Sequence, residues 1–271
     1  MPLAMEMTNL QVFLDIATEA ALAAGVILQD YLGKVEDAIS EKGRPGDLVT
    51  AADQTAEQAI LAVINRHFPQ HSILAEESGK VGNQASEYLW TIDPLDGTTN
   101  YAHQYPCFAV SIGLLIEGEP KVGVTYDPLR NELFRAAAGL GATRNRHPIR
   151  VSQTVELSKS LLSTGFAYDR TETNDTNYPE FCHLTHLTQG VRRGGSAALD
   201  LAYVSCGRVD GYWERGLAPW DIVAGIILVR EAGGKVTAYN GGDLQIDSGR
   251  ILATNSDLHQ VISEELMKIT C

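Results

Sequence analysis

The sequence of 271 residues predicts a layered α/β fold with two sheets. Two stretches of helical periodicity open the chain, three apolar runs parted by turn residues fill its middle, and strand and helix patterns then alternate to the end. The texture changes near residue 152, so residues 8–152 and 153–271 are expected to form two halves of one compact unit. The first half holds an antiparallel meander and the second a mixed sheet.

Leu10, Phe13, Ile16, Ala17, Ala20, Ala24, Ile27 and Tyr31 repeat at helical spacing, with Thr8 or Asn9 as N-cap and Gly33 as stop. A polar stretch from Ser40 to Gly46 leads to a second helix from about Asp53 to Phe68, closed by Pro69. Ser72 to Ala75 and Tyr88 to Ile92 read as short buried strands, each running into acidic residues. Between Phe108 and Val151, runs at Phe108–Ile116, Val122–Tyr126 and Leu133–Ala137 are parted by Glu117-Gly-Glu-Pro and Asp127-Pro-Leu-Arg-Asn turns, as in a meander. Strands are then expected at Leu161–Thr164, Gly211–Glu214, Lys235–Tyr239 and Arg250–Thr254. They alternate with helices at Tyr178–Gln189, Ser196–Ser205, Pro219–Ala232 and Ser256–Lys268.

With 44% hydrophobic and 20% charged residues, the chain has a globular composition, which excludes disordered and collagenous classes. Its 34 Asp and Glu outnumber 21 Lys and Arg, a net charge of -13 that argues against unaided binding to nucleic acid or to an anionic membrane. Cys107, Cys182, Cys206 and Cys271 form no C-x-x-C pair, so neither a disulfide framework nor a zinc site is expected. No signal-peptide pattern opens the chain, and its unbroken apolar runs are far shorter than a membrane span. A soluble protein of the cytoplasm is expected.

Chemistry is expected where acidic clusters stand at element ends: Glu76-Glu77-Ser78, Asp93-Pro-Leu-Asp-Gly-Thr-Thr-Asn100, and Trp220-Asp221 behind Pro219. In Asp93-Pro-Leu-Asp96, a turn fixed by Pro94 brings both carboxylates and the Leu95 carbonyl around one point, an all-oxygen nest suited to Mg²⁺ or Mn²⁺ and not to zinc. Gly97, Thr98 and Thr99 then offer amides and hydroxyls to a phosphate. A lone D-P-x-D-G-T is as readily a surface Asx-turn, but three such clusters weigh against that. An EF-hand loop starting at Asp93 fails at Leu95, Thr98 and Gln104. Haloacid dehalogenase phosphatases place their two Asp two residues apart, whereas here they are three apart with Pro94 between, 90 residues into the chain.

These residues closely resemble the lithium-sensitive, magnesium-dependent inositol monophosphatase family and its sugar-phosphate phosphatase relatives. The likeness covers Asp47-Leu-Val-Thr-Ala-Ala-Asp53, Leu74-Ala-Glu-Glu-Ser78, Trp90 to Asn100, Gly194-Gly-Ser-Ala-Ala198, Trp220-Asp-Ile-Val-Ala-Gly225 and Glu231-Ala-Gly-Gly234, in order across nearly the whole chain. The resemblance implies an α/β/α/β/α sandwich that forms homodimers. It implies that Glu76, Asp93 and the Leu95 carbonyl hold one Mg²⁺, that Asp93, Asp96 and Asp221 hold a second, and that Glu76 touches a third and weaker ion. Thr98, with Glu76, would orient the attacking water, and Asp53 would hydrogen-bond Thr98. Lys42 falls at a mobile-loop lysine, and Glu77 at a neighbour behind the ligands or in solvent. Hydrolysis would proceed by metal-activated water without a phosphoenzyme. Of the seven histidines, none is expected to act in catalysis.

For the substrate, the resemblance implies contacts from Asp96, Gly97, Thr98, Gly195, Ser196, Ala197, Glu214 and Asp221. Taken alone, Gly194-Gly195 reads as a tight turn and Glu214 as a strand-end charge. Arg192 and Arg193 stay open between substrate edge, dimer contact and solvent. Leu95 replaces a frequent isoleucine and Ser196 a frequent threonine, neither a threat to catalysis. The expected reaction is hydrolysis of myo-inositol 1-phosphate or a similar polyol or sugar monophosphate. Histidinol-phosphate and fructose-1,6-bisphosphate phosphatase are the alternatives within the family, and a regulatory binding protein is the alternative outside it.

Overall fold

The computed structural model describes residues 2–34, 40–41 and 48–269. Lys42, Asp47, Cys271 and the polar stretch between 42 and 46 lie outside the described residues. In chain order the elements are α1 (Pro2–Tyr31), β1 (Ser40–Glu41), β2 (Leu48–Val49), α2 (Ala51–His67), β3 (Ser72–Ala75), β4 (Gly79–Gly82), β5 (Tyr88–Asp96), α3 (Thr98–Ala102), β6 (Ala109–Ile116), β7 (Glu119–Asp127), β8 (Glu132–Ala137), β9 (Gly141–Arg144) and β10 (His147–Pro148). The second half adds β11 (Leu161–Thr164), α4 (Tyr178–Leu187), β12 (Gly190–Arg192), α5 (Ala197–Ser205), β13 (Gly211–Glu214), α6 (Pro219–Glu231), β14 (Gly234–Thr237), β15 (Ile251–Asn255) and α7 (His259–Met267).

The first sheet has the order β10-β9-β8-β7-β6-β5-β3-β4. The expected meander forms its centre, and every pair is antiparallel except β3 with β5. The second sheet, β12-β11-β13-β15-β14, is mixed as expected: β11 runs parallel to β12 and β13, and the remaining pairs are antiparallel.

Alternation along the strands sorts these sheets into five layers. Trp90, Ile92, Ile112, Leu114, Val122 and Val124 face α1 and α2, where Ala17, Ala20, Ala24 and Leu28 let the helices sit close. The opposite face of the first sheet meets α5 and α6 through Phe134, Ala136, Ala202, Ile227 and Leu228. In the second sheet Tyr212, Ile251 and Ala253 pack on α5 and α6, while Leu162, Trp213 and Leu252 pack on α4 and α7. The helix pair α5 and α6 is therefore the shared central layer. Its fit to the first sheet requires two residues without side chains, since a Cβ at Gly113 would lie 2.5 Å from Val223 Cγ1 and one at Gly123 2.4 Å from the Ala224 carbonyl.

Several boundaries differ from expectation. Helix α1 runs from Pro2 straight through Thr8 and Asn9, so neither is its cap. Its stretch Asn9–Tyr31 has a mean hydropathy of 1.6, long and apolar enough to cross a bilayer, which counting unbroken apolar runs did not anticipate. Here Ala17, Ala20, Ala21, Ala24 and Leu28 are fully buried against α2 and the sheet. Helix α2 begins at Ala51 and not at Asp53, because Thr50 caps it: Thr50 Oγ1 accepts from the Ala52 and Asp53 amides while Asp53 accepts from Thr50 N.

Candidate active site

Two of the three acidic clusters are brought together by the first sheet's one parallel pair, β3 with β5. Glu76 leaves β3 beside β5 and donates its amide to the Ile92 carbonyl, which sets it next to Asp93. The segment Asp93-Pro-Leu-Asp96 is not the turn that its proline predicts. It continues β5 as a bulge: Asp93 pairs with Ser111 and Asp96 with Ala109, three steps on one strand against two on the other. In a regular strand residues three apart face opposite sides of the sheet, so the extra residue is what turns both carboxylates the same way. Pro94, which lacks an amide donor, is tolerated in the bulge.

The third cluster arrives from the central layer. Asp221 stands in the first turn of α6, whose start is tied to the first sheet by Ser111 Oγ donating to the Trp220 carbonyl at 3.0 Å. Carboxylate oxygens of Asp93, Asp96 and Asp221 all lie within 4.8 Å of one another. Each aspartate commits one oxygen to the fold. Asp93 Oδ1 accepts from Leu95 N at 2.9 Å, and Asp221 Oδ2 from Ala218 N at 2.6 Å. Asp96 Oδ2 accepts from Ser196 Oγ at 2.6 Å and Ala198 N at 2.7 Å, joining the two halves of the chain. Ser196 is also the N-cap of α5, accepting from Leu199 N.

Burial, reinforced by the charges of Glu76, Asp96 and Asp221, raises the Asp93 carboxyl well above the usual range. Asp221 is raised in the same way, by burial and then by Asp96 and Glu76. Burial lifts Asp96 to about 6, with its bonds from Ser196 and Ala198 opposing the rise. Such a group of oxygens is a hard donor set whose mutual repulsion a divalent cation relieves, so these residues fit Mg²⁺.

Behind the acids, Thr98 Oγ1 lies 3.3 Å from Asp53 Oδ1 and 3.1 Å from the Leu95 carbonyl. Asp53 Oδ2 is held by Thr50 N at 2.8 Å and Thr50 Oγ1 at 2.5 Å. Gly97 caps the five-residue α3 with φ of 98°; a Cβ there would meet the Cys107 carbonyl at 2.9 Å. Glu214, at the end of β13, accepts from Tyr212 Oη at 2.5 Å, and burial lifts it to about 7.

Glu76, Asp93, Leu95, Asp96, Gly97, Thr98, Gly195, Ser196, Ala197, Glu214 and Asp221 all line one cavity of about 220 Å³. Asp53 stands behind the wall, and Thr99 and Glu77 are not among the lining residues either. Arg193, left open by the sequence, is at the rim. The sequence reading missed the wall from Gly165 to Tyr168, although a loop following the apolar run of β11 is where the strand-end rule points. It missed Asp200 as well, a buried acid on α5 lifted by burial and by Glu214. The histidines that the interior holds are structural: His71 accepts from Trp90 Nε1, and His259 sits between Thr237 and Thr254, its pKa lowered by burial to about 4.

A profile of the inositol monophosphatase family matches residues 9–270. The chain is 62% identical over 259 residues to the inositol-1-monophosphatase of Synechocystis sp., covering 96% of this chain and 90% of that one. It is 45% identical over 245 residues to Nus factor SuhB of Escherichia coli (strain K12), with 89% and 91% covered. The solved inositol monophosphatase from Anabaena (Nostoc) sp. superposes with a TM-score of 0.89 at 70% identity, over 97% of this chain and 98% of that one.

Proposed function

The chain belongs to the inositol monophosphatase family, and from that premise we propose that its substrate is myo-inositol 1-phosphate. It is a Mg²⁺-dependent phosphomonoesterase acting on a polyol or sugar phosphate. The observation that carries this chemistry is the convergence of Asp93, Asp96 and Asp221 oxygens at the base of the cavity, with Glu76 beside them. The choice of inositol 1-phosphate is supported by the 62% identical relative of that name and by Glu214, a buried acceptor facing the cavity as ring hydroxyls require.

In this reading Glu76, Asp93 and the Leu95 carbonyl would hold one Mg²⁺, Asp93, Asp96 and Asp221 would hold a second, and Glu76 would contribute to a third. Bound Mg²⁺ supplies an acidified water and neutralises charge on the phosphate and the departing oxygen. The chain's own residues set the direction of attack. Asp53, held by Thr50, and the Leu95 carbonyl are the two acceptors for the single Thr98 proton, at 3.3 and 3.1 Å, and together keep it from the incoming water. The lone pairs of Thr98 Oγ1 are then turned toward an incoming water, which Glu76 orients from the other side. Tyr212 fixes the Glu214 carboxylate against the substrate hydroxyls, Gly195, Ser196 and Ala197 approach the ring with backbone, and the wall at Phe166–Tyr168 limits water.

Residues 8–152 and 153–271 act in this reading as one catalytic unit, in a cytoplasmic homodimer inhibited by lithium. A panel of phosphate release with Mg²⁺ tests it, comparing inositol 1-phosphate, histidinol phosphate, fructose 1,6-bisphosphate and adenosine 3′,5′-bisphosphate. The largest kcat/KM is expected for inositol 1-phosphate. A larger value for another ester overturns the substrate, and release undiminished in excess EDTA overturns the metal chemistry. The relatives named Nus factor SuhB support a second reading, a regulatory binding role alongside catalysis.

A further inference from the structure

Glu57 lies on α2 one helical turn beyond Asp53 and is 1% exposed. It does not line the cavity, yet both of its oxygens are engaged by the chain that carries Glu76. Glu57 Oε2 accepts from Glu77 N at 2.9 Å, and Oε1 from Ser78 N at 3.0 Å. These amides belong to the tight connection between β3 and β4, immediately after Glu76. Residues i and i+4 share a helix face, so α2 reaches the site at two points, Asp53 on Thr98 and Glu57 on the Glu76 connection.

We propose that Glu57 is the positioning residue for Glu76, holding its backbone so that Glu76 and Thr98 are set at a fixed separation by one rigid helix. The proposal rests on the roles assigned above to Glu76 and Thr98. The residue type follows from the task. Two neighbouring backbone donors need two acceptors and no donor, which an ionised carboxylate alone among side chains of this size provides. Two N–H bonds to the charged group compensate its burial. Glutamine has the same shape but must aim its NH₂ at one of the two amides, which unlatches half of the contact. The sequence hides this device, because Glu57 and Glu77 stand twenty residues apart and Glu57 reads as an ordinary polar position of an amphipathic helix.

The test uses the full-length protein with E57Q and E57A, measuring Mg²⁺ binding by calorimetry without substrate, thermal unfolding, and steady-state kinetics. Both variants are expected to bind Mg²⁺ at least about tenfold more weakly, the scale of change for groups that orient metal ligands. At saturating Mg²⁺, kcat is expected to fall by at least about tenfold with KM for the substrate changed less than about twofold, since the substrate contacts lie elsewhere. A folded E57Q with a wild-type Mg²⁺ isotherm overturns the proposal. So does a variant that loses only thermal stability, because a mere tie between helix and loop leaves metal affinity unmoved. If wild-type protein binds no Mg²⁺, the reading of the site fails and not the role of Glu57. Should neither variant fold, amide exchange in the wild type decides. Glu77 and Ser78 amides are expected to exchange at least about a hundredfold slower than free peptide although Ser78 is exposed, and exchange at the free rate overturns the proposal.

Discussion

An asparagine at position 93 is forced into one orientation. Leu95 N needs an acceptor, so the amide oxygen keeps that bond and the NH₂ is left toward Glu76 and the acidic cluster, where a cation needs a negatively charged oxygen. We expect D93N to lower kcat/KM by at least about a hundredfold, judged against the 10–100-fold cost of changing mere supporting groups. Its metal-free form should melt no lower than wild type, because a repelling carboxylate has gone. Glu214 carries a pH dependence of its own. Its carboxyl is lifted to about 7 by burial, so the folded metal-free state binds a proton that the unfolded chain releases above its ordinary value near 4.5. Stability from this group is therefore lost as pH rises through that window, by about 3 kcal/mol in all. Melting temperatures in EDTA should fall between pH 5 and pH 8, and E214Q should flatten part of the fall. At this scale the acids were legible because three clusters stand at element ends. The buried partners of those acids, Glu57 and Asp200, were not, since a helical acid carries no mark of what it will face.

Among the elements, those best read from sequence were short apolar runs bracketed by turn residues, so β3, β11 and β13 have the limits expected of them. The error at β5 has a physical cause. Pro94 reads as a terminator when the strand is taken as regular, whereas a bulge absorbs both the missing donor and the extra residue. Strands β4, β9, β10 and β12 went unseen because they are two to four residues long and partly exposed, without apolar alternation. The contact of α6 with β6 and β7 was also invisible, being written only as two glycines. G123A should push α6 off the sheet, since its new Cβ would lie 2.4 Å from a backbone carbonyl that cannot rotate aside. Overpacking of this kind costs about 1–3 kcal/mol, and thermal unfolding should show a fall of several degrees.

For the molecule as a whole, the net charge of -13 matters most where Asp93, Asp96 and Asp221 meet. Filling that site with Mg²⁺ should stabilise the fold by about 3 kcal/mol at a hundredfold excess over Kd, readable as a melting shift of several degrees that Na⁺ at equal ionic strength does not reproduce. The same neutralisation should make substrate binding depend on metal, so equal affinity for inositol 1-phosphate with and without Mg²⁺ would contradict the site. The layered plan was legible because the order of helix, meander and alternating elements leaves few arrangements. The long apolar α1 shows the limit of composition, since its hydropathy suits a bilayer and its alanines are spent on α2 and the first sheet.

The central layer also imposes an order in time on the nascent chain. The first sheet is complete once residue 148 has been made, but the helices that cover its inner face, α5 and α6, end at Ser205 and Glu231. At ordinary synthesis rates of about 5–20 residues per second, that face waits for roughly 4–17 s. Through that interval Phe134 and Ala136 stand open to water, beside the bare backbone of Gly113 and Gly123. A chain ending near residue 152 would thus be expected to present a sheet with one finished side and one sticky side.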